Sequence, residues 1–224
     1  MTTKRSRPLR EYFLLDMNTV VRMLILSDVV WGGATGLLGP IFAIFIVDFI
    51  EGASIAVAGV ATSVYLITKS VAQIPAASVV DKIRGEKDDF WILFTGSVAA
   101  AIVPIFYLII NTPLQLYIIQ FVYGLIIAFT YPSYMAIFTR HVDQDKVGTE
   151  WGIYFTLNDF SAAVAASIGG VIAQTIGFHA LIVGVVFVSI LGVLLLFPLK
   201  PYMRGPAGKK TTAEREEIVR LNGD

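Results

Sequence analysis

Six runs of more than twenty residues, apolar almost throughout, dominate the chain. A helix rises about 1.5 Å per residue, so a run of ~20 residues crosses the ~30 Å hydrocarbon core of a bilayer. The runs predict membrane-spanning helices at about 22–47, 54–80, 90–111, 114–138, 151–176 and 179–199. The expected organisation has a cytoplasmic N-terminal segment (1–21), a six-helix transmembrane domain (22–199) and a cytoplasmic C-terminal tail (200–224). The first run is too long for the apolar core of a signal peptide, and no small-residue cleavage site follows it, so it is expected to remain as a span.

Of the 224 residues, 56% are hydrophobic and 15% charged, whereas a soluble domain carries roughly a quarter of its residues as charges. The formal net charge is zero, which gives no reason to expect a nucleic-acid partner; the distribution of charge is more informative. There are no cysteines, which excludes a disulfide framework, a thiol nucleophile and a thiolate metal site. The two histidines, His141 and His179, stand 38 positions apart with no ligand-like spacing, so neither a metal nor another cofactor is expected. No glycine-rich, lysine-containing nucleotide motif occurs, so ATP hydrolysis by this chain is unsupported and an enzyme is not expected.

Lysine and arginine sort between the two sets of connections. The N-terminal segment through Arg22 holds five, the loop between spans 2 and 3 holds three, the loop between spans 4 and 5 two, and the C-terminal tail six. Together these are 16 of the 17 basic residues, and the remaining one is Lys69. The positive-inside rule therefore predicts that both termini are cytoplasmic, in a multi-pass protein of the plasma or inner membrane.

The first and fourth spans carry a related pattern, "WGGATGLLGP" and "YGLIIAFTYP". Each runs aromatic, glycine, seven residues, proline, and an "AIF" triplet follows shortly after. Gly124 lies 92 residues after Gly32. Spans three apart run in opposite directions, so the pattern suggests an inverted 3+3 repeat. The loop "AASVVDKIRGEK" between spans 2 and 3 resembles the signature loop of the major facilitator superfamily. Asp81 and Lys82 match that signature, Arg84 supplies a further basic residue, and Ala77 stands where the first glycine is expected. Gln120 takes the place of an arginine often found in the family's fourth span, and Gly169 and Gly170 fit the end of its fifth-span motif.

The resemblance covers one six-span half of the usual twelve-span transporter. It implies a carrier of a small-molecule substrate, with a rocker-switch alternating between two halves and driven by an ion or substrate gradient. One half has no opposing wall, so a second copy of the chain is the expected partner, in a parallel C2 dimer within the lipid bilayer. The alternatives are the N-terminal half of a truncated twelve-span carrier and a non-transporting membrane subunit or scaffold.

Three ionisable residues fall inside the spans: Asp28, Lys69 and Asp159. Each costs roughly 2.5–3.5 kcal/mol at a helix centre, so each is expected to be paired or to face water. The offset of 92 carries Lys69 to Ser161, two residues from Asp159. In the family, span 2 of one half packs against the counterpart of span 5 in the other. The resemblance thus implies Lys69 of one chain against Asp159 of its partner, with pairing inside one chain as the alternative. These three, with Gln120 and Asn158, are the candidate substrate or ion-coupling residues. Trp31, Gly32, Gly36, Tyr123 and Tyr131 are candidate cavity-lining positions. The stripe Asp28–Gly32–Gly36 suits either close helix approach or an open wall, and for the tyrosines packing is an equal alternative. Asp81, Lys82 and Arg84 are the candidate cytoplasmic gate motif, with Glu150 and Trp151 of the partner as its expected contact.

Overall fold

The side chain of Asn18 accepts a hydrogen bond from the Val20 N–H at 2.8 Å, which caps the first helix where its leading N–H groups have no partner. The computed structural model describes residues 17–83 and 85–204. Its elements are α1 (Thr19–Leu38), a 3-10 turn (Gly39–Ile41), α2 (Phe42–Phe49), α3 (Ile55–Lys82), α4 (Glu86–Ile102) continued by a 3-10 turn (Val103–Leu108), α5 (Pro113–His141), α6 (Val147–Thr175), and α7 (Phe178–Leu194) followed by a 3-10 turn (Phe197–Tyr202). They form six spans long and apolar enough to cross a membrane: Thr19–Phe49, Ile55–Lys82, Glu86–Leu108, Pro113–His141, Val147–Thr175 and Phe178–Tyr202.

These match the six predicted spans one for one, and each runs a few residues further at the face that carries the chain ends, called here the terminal face. Most of the extensions are polar. α4 opens with Glu86, Asp88 and Asp89, and α5 closes with Arg140 and His141. Acidic residues at a helix N-terminus and basic ones at its C-terminus suit the helix dipole, so helix continues where hydropathy has already fallen. At the opposite face, Ser54 caps α3, and Thr112 with Gln115 forms a capping box on α5.

The prolines act differently in the two related spans. Gly39–Pro40 sits in the 3-10 turn that divides the first span into α1 and α2, whereas Pro132 lies within an unbroken α5. Near Pro132, the hydroxyls of Thr130 and Ser133 donate to the carbonyls of Ile126 (2.7 Å) and Phe129 (3.3 Å) one turn back.

α1 packs mainly on α6 and α7, while α5 packs mainly on α3 and α4. Small residues bring the backbones together at these crossings. A Cβ on Gly169 of α6 would fall 1.9 Å from the Leu37 carbonyl oxygen of α1, and one on Gly124 of α5 would fall 2.8 Å from the Tyr65 carbonyl oxygen of α3. One apolar cluster lies toward the terminal face, around Leu24, Phe90, Phe138, Tyr154 and Leu199. A second lies toward the other face, around Phe45, Ile46, Tyr107, Leu116 and Ile182. α3 and α6 are the least buried of the six spans.

Candidate functional site

Two hydroxyls set the rotation of α1. Ser27 donates to the Gly192 carbonyl of α7 at 2.7 Å, and Ser161 of α6 donates to the Val29 carbonyl at 2.8 Å. With α1 tied on both sides, Asp28 and Trp31, three residues apart and so on one helix face, turn into a half-open cavity of about 250 Å³. Tyr65 and Lys69 enter it from α3, Thr130, Tyr131 and Tyr134 from α5, and Tyr154 from α6.

Asp28 Oδ2 accepts a hydrogen bond from the Tyr154 hydroxyl at 2.9 Å. Asn158, one turn further along α6, donates to the Tyr154 carbonyl at 3.1 Å and lies beside Gly32, whose Cβ would meet Asn158 Oδ1 at 3.0 Å. Lys69 Nζ stands 5.1 Å from the centroid of the Tyr131 ring, a cation–π arrangement. Among the described residues no ion pair holds Asp28, Lys69 or Asp159. The Trp31 indole N–H is buried and has no hydrogen-bond partner among the described residues.

The candidates therefore separate. Asp28, Lys69, Trp31 and Tyr131 share one cavity, with Asn158 just behind it. Gln120 and Tyr123 line a second cavity of about 270 Å³ toward the other face, together with Thr35, Phe42 and Tyr107. Tyr65 borders both cavities, its ring stacked on that of Tyr123 at 5.2 Å. Gly36 lies in the α1–α6 contact, where a Cβ would sit 3.1 Å from the Ala162 Cα; its small size serves helix approach. Asp159 is exposed on α6 and does not join the cavity. The alternative of a Lys69–Asp159 ion pair inside one chain is absent from the structure.

The cavities correspond in register. At 92 positions along the sequence, Asp28, Trp31 and Leu93 of the first become Gln120, Tyr123 and Val185 of the second; Thr130, Tyr134 and Tyr154 stand 92 after Leu38, Phe42 and Thr62.

Of the loop motif, Asp81 and Lys82 form the exposed last turn of α3, and Arg84 lies outside the described residues. Glu150, expected to meet a partner's loop, is instead buried and accepts a hydrogen bond from the Asp143 N–H at 3.2 Å. Trp151 packs on Phe138, ring centroids 4.5 Å apart, within its own chain. Beside them is a polar cluster unforeseen from the sequence. Arg140 pairs with the fully buried Asp89, His141 Nε2 lies 3.7 Å from Glu86 Oε2, and the same Glu86 oxygen accepts the Arg204 N–H at 3.0 Å. Tyr65, Tyr134 and Tyr154 were also unforeseen at the cavity. The one available signal was Tyr154 preceding Asn158 by a helical turn.

Among proteins of curated function, no sequence matches the chain. The family profile of the Major Facilitator Superfamily matches residues 22–221, which includes all but the start of the first span. With six apolar helices and this match over most of its length, the chain belongs to the major facilitator superfamily and is a multi-pass membrane transporter of that type.

Proposed function

We propose that the protein carries a small solute by alternating access, as a parallel two-fold homodimer of the cell membrane with both termini in the cytoplasm, driven by an ion or substrate gradient. The carrying observation is Asp159, exposed on α6 12 residues after Val147 and without an ion-pair partner among the described residues. At ~1.5 Å per residue that is about 18 Å into the span. A carboxylate facing hydrocarbon at such depth is costly, so another protein surface is needed to cover it. The two least buried spans, α3 and α6, are the ones that carry Lys69 and Asp159. In a two-fold pair each α3 faces the partner's α6, and Lys69 meets Asp159 of the partner subunit twice. Such a pair serves as a register device or gate better than as a stabiliser.

The six spans form an inverted 3+3 repeat in this reading. It is supported by the exchange of neighbours between α1 and α5 and by the register of 92 between the two cavities. Asp28, Lys69 and Asp159 are the charged centre. Gln120 and Asn158 supply hydrogen bonds, and Asp81, Lys82 and Arg84 form the cytoplasmic gate.

The chain has no cysteine of its own, which gives a clean test. Lys69→Cys combined with Asp159→Cys, treated with a short bismaleimide in membranes, is expected to yield a two-chain band, and neither single variant should. A one-chain mass in nanodiscs for protein that still transports sinks the dimer. A two-chain mass with no saturable uptake leaves a scaffold instead.

A further inference from the structure

We infer that the cavity of Asp28 and Lys69 binds a small zwitterion of amino-acid size that carries an aromatic or similarly flat apolar group. The inference takes the carrier reading as its setting and names the class of solute. The cavity presents a carboxyl and an ammonium group from two helices, α1 and α3, and among the described residues no ion pair holds either. Asp28 is held by the Tyr154 hydroxyl, and Lys69 by the face of Tyr131. Both contacts support a charge without neutralising it. A cationic solute satisfies Asp28 but confronts Lys69; an anionic one meets the reverse. In a half-enclosed site of lowered dielectric such like-charge encounters are strong, and only a solute with both poles answers both side chains.

The remaining lining agrees. Aromatic faces from Trp31, Tyr65 and Tyr131 suit an ammonium and a flat apolar group together. A volume of about 250 Å³ lies just below the ~300–1,000 Å³ of drug-sized pockets.

The second cavity serves as an internal control. Its counterpart to Asp28 is Gln120, its counterpart to Trp31 is Tyr123, and among the described residues no charged side chain lines it. The fold builds this cavity without charge, so Asp28 and Lys69 are additions that packing does not require. Lys69 also links binding to the dimer. The anionic pole of the solute competes with Asp159 of the partner subunit for the same ammonium, so occupancy weakens the cross-subunit contact.

Three probes of one shape and different charge test this: L-phenylalanine, phenethylamine and 3-phenylpropanoate, titrated by calorimetry against the full chain in nanodiscs. Phenylalanine is expected to bind at least tenfold tighter than either relative. Asp28→Asn should move the preference toward phenylpropanoate, and Lys69→Gln toward phenethylamine. Binding of a single-charge probe as tightly as phenylalanine, or no binding of any of the three, overturns the proposal; the unmodified protein alone decides this, whether or not the variants fold. An unchanged preference in two folded variants overturns it as well. Flux of phenylalanine into proteoliposomes separates the two readings. Binding without flux removes the carrier and keeps the site. Saturable flux of other solutes without the charge preference removes the site and keeps the carrier.

Discussion

At the scale of single residues, three ionisable groups in the spans meet their desolvation in different ways. Asp28 takes a tyrosine hydroxyl and Lys69 an aromatic face, both at a cavity. Asp89 takes a full ion pair with Arg140 across the α4–α5 contact and leaves no exposed surface. Removing one partner of a buried pair strands the other charge, which costs about 3–5 kcal/mol in a sealed site. The Arg140 side chain is 39% exposed, so solvent screening lowers the expected loss for Arg140→Ala to ~2–3 kcal/mol. Adding Asp89→Asn should recover part of it, because the stranded group is then neutral. Reversible unfolding in bicelles measures both, and a double variant less stable than Arg140→Ala would count against the stranded charge as the cause.

At the scale of elements, the α1–α6 crossing is built on the absence of side chains. Gly169 brings α6 onto the Leu37 carbonyl, whereas the adjacent Gly170 has open space around it. Gly169→Ala must separate two backbones and is expected to destabilise by ~1–3 kcal/mol. Gly170→Ala should stay within about 0.5 kcal/mol. Because α1 carries Asp28 and α6 carries Tyr154, Gly169→Ala should also loosen their 2.9 Å hydrogen bond and weaken probe binding in the cavity. Equal unfolding free energies for the two variants would remove the crossing as a determinant.

For the whole molecule, the proposed orientation rests on the distribution of basic residues. Cysteines introduced at Lys82 or Asp145, on the terminal face, should stay protected from an impermeant maleimide in intact cells, and ones at Glu51 or Asn111 should label. The reverse pattern contradicts the positive-inside assignment. Because the natural chain lacks cysteine, any labelling reports the introduced site alone.

Local sequence determined the six spans and their order, because length and apolar content decide bilayer crossing. It also exposed the offset of 92 that relates residues lining the two cavities. Which polar residues share a site was not legible, because that depends on the rotation of each helix. Two serine-to-carbonyl bonds and several near-contacts of backbone set that rotation for α1. Lys69 and Asp159, close in repeat register, part company because Asp159 lies two residues from Ser161, and on a helix that is ~200° around the axis. Ser161 faces α1, so Asp159 faces outward. Only tertiary packing could thus join Lys69 to Asp28 in one cavity and leave Asp159 exposed on α6.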